Sequence, residues 1–191
     1  MSRELNDLLT PAWRNGRAVY RGWLPGEIMA PLQWGKTQLP LTYYIDFDRE
    51  HQKLAPAVVD GAELWNREIG LDLLRQVDGD GGTPSLVTVT WGGFEISDHH
   101  VSDDAAHVCH YGTTGPESAL LSFTEAADLF TVFVVAAHEF GHVLGLDDDP
   151  TRTNSVMYPT LPDLSAFDEL PRMQFVCPSD HDIAVLYNLY K

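Results

Sequence analysis

Between residues 41 and 69 the spacing of apolar positions changes from that of a strand to that of a helix. LTYYIDF (41–47) is β-branched and aromatic and predicts a strand. Val58, Ala62, Trp65 and Ile69 then recur at spacings of 4, 3 and 4, the period of one helical face, so 55–69 predicts a helix that Gly70 ends. LDLLRQV (71–77) and LVTVTW (86–91) predict two further strands, separated by the turn sequence DGDGG. GGFEISDHHVSDDAAHVCHYG is long, polar and rich in histidine and predicts a loop leading into a short strand. ALLSF (119–123) predicts another strand. From Asp128 to Leu144 the pattern is helical and, in its first half, apolar nearly all round, which places this helix in the core. Residues 146–178 hold five prolines and predict loops. SDHDIAVLYNLY predicts a closing helix, with Ser179 and Asp182 at capping-box spacing and Asp in place of the usual Glu.

Residues 1–38 carry scattered Trp, Gly and Pro (WRNG, GWLPG, MAPLQWG) without either period. They predict an irregular N-terminal arm lying on a domain that spans 39–191. Strands come early, helices flank them, and one long helix is central. That order predicts an α+β fold rather than a doubly wound one.

A chain of 191 residues with 44% hydrophobic content suits one domain with a real core. Its net charge of −16 argues against nucleic-acid or anionic membrane partners and is compatible with cation binding. No apolar run reaches the length of a membrane span. The start, MSRELNDLLTPAW, lacks the basic and apolar blocks of a secretory signal, so the compartment stays open, extracellular and virion-associated settings included. Cys109 and Cys177 leave open whether they pair or stay as packed thiols.

The chemistry concentrates in HEFGHVLGLDDD (138–149). His138 and His142, four apart on a helix, stack on one face and can bind one Zn²⁺. Glu139, one residue on, can move a proton to and from an attacking water. Gly145 fits the left-handed position that ends a helix. Two imidazoles and a carboxylate in an otherwise apolar helix need a purpose. Three aspartates at a helix C-terminus have the wrong sign for its dipole unless a cation is present. Asp148 as third ligand gives a His₂–carboxylate site with an open position. A carboxylate in place of a third imidazole lowers the site's charge by one, and so the metal's Lewis acidity.

FVVAAHEFGHVLGLDD resembles the active-site helix of the metzincin metallopeptidases, most closely the matrixins, and SVMYP (155–159) resembles their Met-turn. QWGKTQLPLTYYID, the helix with Trp65 and SDHDIAVLYNLY are similar to further segments of that family, so the resemblance covers roughly 33–191. It implies a metzincin-like fold, with a twisted mixed sheet of five strands, a long active-site helix, a Met-turn and a C-terminal helix, and a zinc-dependent endopeptidase. His138, His142 and Asp148 would be the metal ligands, Glu139 the general base and acid, and Met157 the floor beneath the metal. Matrixins have a histidine where this chain has Asp148, and an aspartate there resembles the snapalysin branch. Pro159, Thr160 and Leu161 would line the substrate pocket, with Leu161 where the family often has Tyr.

The resemblance also raises a second, structural zinc in the loop before the helix. His107 is its matching residue, while Ser122 stands where a later ligand histidine would fall. His99, His100, Asp103 and His110 are further candidates, and a plain solvated loop is the competing expectation. Ca²⁺ at DGDGG is a weaker alternative, because the full calcium-loop pattern is missing. The expected partner is a protein or peptide substrate, bound extended along an exposed strand edge. The rival expectation is a non-catalytic, zinc-stabilised structural or binding module of a larger assembly such as a virus particle. The retained Glu139 speaks against it.

Overall fold

The structure is a computed structural model. It describes residues 11–14, 17–20, 33–79, 85–92, 106–111, 116–123, 128–159 and 177–191. Seven strands form one sheet: β1 (Pro11–Arg14), β2 (Arg17–Tyr20), β3 (Leu41–Asp46), β4 (Leu74–Gln76), β5 (Val87–Trp91), β6 (Ala106–Tyr111) and β7 (Ser118–Phe123). Three α-helices accompany it among the described residues: α1 (Ala55–Ile69), α2 (Leu129–Val143) and α3 (Asp180–Tyr190). The sheet order is β1-β2-β6-β7-β5-β3-β4.

One expectation needs correction. The sheet has seven strands, because the arm expected to be irregular supplies two of them. Arg14 and Arg17 are register partners in β1 and β2, so only Asn15 and Gly16 separate the strands. Asn-Gly is the pair that two-residue hairpin connections favour, and the scattered Trp and Pro around it masked the signal. The sheet is mixed, as expected. β3 runs parallel to both β4 and β5, and β5 parallel to β7, with α1 crossing over between β3 and β4. The antiparallel pairings are β6 with β7 and β1 with β2.

The period in α1 has a direct structural outcome. Val58, Ala62, Trp65 and Ile69 are all buried, and Gly70 caps the helix in the left-handed region at φ 71°. α1 packs on α2 at close range. A Cβ on Gly61 would sit 2.8 Å from both Ala136 Cβ and Ala137 N, so only glycine lets the helices approach this far. Trp65 Nε1 donates to Ala137 O at 2.7 Å across the same contact. At the start of α2, the Asp128 carboxylate accepts from Thr131 N at 2.8 Å, a side-chain N-cap. Val132, Val134, Val135, Ala136, Ala137, Phe140 and Val143 are buried, so α2 is the core helix its composition predicts.

A candidate metal centre at the end of α2

The site is built where α2 stops. Four residues apart, His138 and His142 point the same way, with Nε2 atoms 3.0 Å apart. Gly145 has φ 101°, a value that side-chain-bearing residues rarely adopt, and the chain reverses there. The reversal brings Asp148 back over the histidines. Its Oδ1 lies 3.3 Å from His138 Nε2 and 3.4 Å from His142 Nε2. The three residues form the one cluster among the described residues that could hold a metal ion.

Each histidine is fixed through its other nitrogen. His138 Nδ1 donates to Val156 O at 2.8 Å, and His142 Nδ1 donates to Leu146 O at 2.9 Å. A carbonyl only accepts, so each ring keeps a proton on Nδ1, and each ring in its neutral form presents the Nε2 lone pair. Two lone pairs and a carboxylate oxygen then face one another. Asp148 Oδ1 is buried without a hydrogen-bond partner. Such an arrangement repels itself unless a cation lies within it. Ligands 2.0–2.1 Å from a tetrahedral zinc lie about 3.3–3.4 Å apart, close to the edges of this triangle. The residues fit zinc, and three of them leave one tetrahedral corner open.

Electrostatics agree. Burial alone would raise the Asp148 pKa, but the two imidazoles facing it, when protonated, outweigh that and hold it well below the usual carboxylate range. Burial also works against a charged His138, yet Asp148 and the nearby Glu139 hold that imidazole above its ordinary value. Both shifts mark a pocket that favours positive charge. The neighbouring aspartates turn elsewhere. Asp147 is exposed, and Asp149 accepts from Thr151 N at 3.0 Å and pairs with Arg152.

Glu139 is buried, one residue from His138 and outside the converging triangle. Met157 is fully buried in the turn 155–158, which closes through Tyr158 N donating to Ser155 O at 3.0 Å. A Cβ on Gly141 would run into Met157 Sδ and come within 2.9 Å of Trp65 Cζ2. The glycine inside HEFGH therefore makes room for the methionine. The turn is tied to α3 by Asp182, whose Oδ2 accepts from Ser155 Oγ at 2.6 Å and from Ser179 N and Oγ at 2.7 Å. Asp182 serves the cap and the turn together, which accounts for Asp where a capping box ordinarily has Glu.

Residues 33–191 match the family model described as Matrixin. The chain belongs to the matrixin family. Matrixins are metzincins, zinc-dependent metallopeptidases, so hydrolysis of protein or peptide substrates comes with membership. No curated protein matches this matrixin. Among its described residues no helix is long and apolar enough to cross a membrane.

The remaining expected residues of this matrixin are described only in part. His99, His100, Asp103, Thr160 and Leu161 lie outside the described residues, as does most of DGDGG. Pro159 is exposed. His107 is the register partner of Ser122 in the β6–β7 ladder, and Ser122 Oγ donates to Gly92 O at 3.1 Å. His110, a candidate for a second metal, is buried with Nε2 3.3 Å from Val143 O and its ring tilted against Trp34. It belongs to the packing beneath α2. Cys177, expected to be packed or bridged, is free and exposed.

Sequence patterns missed the residues that hold the end of α2. The last carbonyls of a helix have no partners within it. Here Trp34 Nε1 donates to Val143 O at 2.7 Å, and Tyr190 OH donates to Leu144 O at 2.7 Å. Both donors come from far along the chain, and no spacing rule connects them to the motif.

Proposed function

We propose that this matrixin is a zinc endopeptidase with His138, His142 and Asp148 as the metal ligands and Glu139 as general base and acid. The observation that carries the proposal is the triangle of His138 Nε2, His142 Nε2 and Asp148 Oδ1, with both Nδ1 atoms committed to carbonyls. Zinc held by these three residues would supply a Lewis acid for the scissile carbonyl and would lower the pKa of the attacking water. Glu139 takes the proton of that water and returns it to the leaving amine. Asp148 fills the third position and sets a lower site charge than a third imidazole would. Met157 supports the imidazoles from below, and Pro159, Thr160 and Leu161 contribute to a pocket for one substrate side chain. The substrate backbone is held as an added strand.

The test is hydrolysis of denatured casein by the zinc-loaded chain beside Glu139→Ala. Loss of the general base should lower the rate by about 10²–10⁴-fold, with zinc content and circular dichroism unchanged. A variant that binds zinc and still cleaves like the parent would sink the assignment.

A further inference from the structure

We infer that Tyr190 of α3 is a positioning residue for the metal centre: its hydroxyl fixes the reversal that delivers Asp148 to the two histidines. The inference rests on the reading of His138, His142 and Asp148 as zinc ligands. Between the second histidine and the aspartate the chain turns back, and it does so at Gly145, with φ 101°. A residue without Cβ moves readily between the left- and right-handed regions, so sterics alone do not hold this turn. Hydrogen bonds hold it. Gly145 N donates to His142 O at 3.0 Å, and Leu146 N to Gly141 O at 2.9 Å. Those two bonds are the Schellman pair, made within α2 and its own turn. A third bond comes from elsewhere. Tyr190 OH donates to Leu144 O at 2.7 Å, from 46 residues along the chain.

Leu144 O and Gly145 N belong to one planar peptide group. His142 O holds its N–H and Tyr190 holds its carbonyl, so the plane is fixed from both sides. Its tilt sets ψ at Leu144 and φ at Gly145, and with them the direction in which residues 146–148 leave the helix. His142 depends on the same tilt, because its Nδ1 donates to Leu146 O at 2.9 Å. One ligand's orienting carbonyl and the other ligand itself therefore follow from one plane. The direction of the Tyr190 bond is also determined. Trp34 N, 3.5 Å from the hydroxyl, can only donate, so the hydroxyl accepts there and gives its own proton to Leu144 O. Leu144 and Tyr190 are buried, so solvent does not replace the bond when it is lost. A released plane leaves turns in which Asp148 is misplaced, and metal affinity falls with the fraction of chains that keep the binding arrangement.

A second buried tyrosine allows a matched test. Tyr43 packs against Phe140, and its hydroxyl has no hydrogen-bond partner among the described residues, so Tyr43→Phe makes the same chemical change without losing a bond. The zinc Kd of the full chain is measured at neutral pH by competition with a chelating dye. The visible spectrum of the Co²⁺-loaded chain reports the geometry of the donors. Tyr190→Phe should weaken zinc about tenfold, the lower end of what an outer hydrogen bond contributes to a metal site, and should shift the Co²⁺ bands. Tyr43→Phe should match the parent in both. Asn66→Ala removes a side chain bonded to Leu73 N and Leu74 N, and so controls for lost stability; it should keep the parental Kd. A parental Kd and spectrum in Tyr190→Phe overturn the assignment. So does an equal loss in Tyr190→Phe and Asn66→Ala, which would mark general loosening. If the parent binds no zinc, or Asp148→Ala binds it as tightly, the ligand reading falls instead. Amide exchange over 144–148, read by mass spectrometry, then decides the role of Tyr190. Exchange about tenfold faster in Tyr190→Phe than in Tyr43→Phe upholds it, and equal exchange overturns it.

Discussion

Asp147, Asp148 and Asp149 are chemically alike, and only the reversal at Gly145 separates them. Asp148 faces both imidazoles, Asp147 faces water, and Asp149 is held by Thr151 and Arg152. Asp148→Ala should therefore lose most zinc after dialysis, while Asp147→Ala and Asp149→Ala keep it. Equal retention by all three variants would move the third ligand elsewhere. Asp148→His should bind zinc and shift the acidic limb of the pH–rate profile to lower pH, because removing a negative charge makes the attacking water more acidic. Gly141→Ala sets two effects against each other. Alanine gains about 1 kcal/mol in helix propensity, but overpacking against Met157 and Trp65 costs about 1–3 kcal/mol. The net change should be destabilising, measured as a lower urea midpoint; a more stable variant would show that Met157 can move aside. These positions were legible in the sequence to different degrees. The candidate triad of His138, His142 and Asp148 follows from local spacing along one helix and its turn. The need for glycine at 141 does not, because Met157 and Trp65 reach it from other parts of the chain.

At the scale of elements, α2 is anchored at its far end by side chains from outside the helix. Tyr190 OH donates to Leu144 O, and burial pushes the Tyr190 pKa up to about 12. A folded pKa above the unfolded value of about 10 makes a contribution that is complete below pH ~10 and is lost as pH rises towards 12. Wild type should lose of order 2 kcal/mol more stability across that window than Tyr190→Phe, at about 1.4 kcal/mol per pKa unit. Denaturant unfolding at pH 9 and pH 11.5 reads the difference, and parallel losses in the two proteins would assign the alkaline transition to other groups. The helices themselves were legible, because a 3.6-residue period and capping residues are local signals. β4 was shorter than its apolar run suggested. Asn66 Oδ1 accepts from Leu73 N and Leu74 N, and the strand starts only at Leu74.

For the whole molecule, the proposed metal centre would join segments that otherwise meet through packing: α2, the loop to Asp148 and the turn at Met157. Zinc that binds only the folded chain adds about 4 kcal/mol at a thousandfold excess over Kd. At about 2–4 °C per kcal/mol for a chain of this size, chelation should lower Tm by roughly 10 °C. Calorimetry with and without chelator measures it, and an unchanged Tm would mean that the folded and unfolded chains bind metal alike or not at all. The sheet was legible in its strands but not in its order, because register and direction are settled between segments far apart in sequence. The arm shows this most clearly, since its Asn-Gly signal was present but its destination on β6 was not. The helix that carries the histidines also has an optical consequence. Two buried indoles hold its backbone at either side of the ligands, Trp65 at Ala137 and Trp34 at Val143. Their emission depends on those hydrogen bonds and on the imidazoles nearby, so the natural fluorescence of the protein can report metal capture without an added dye.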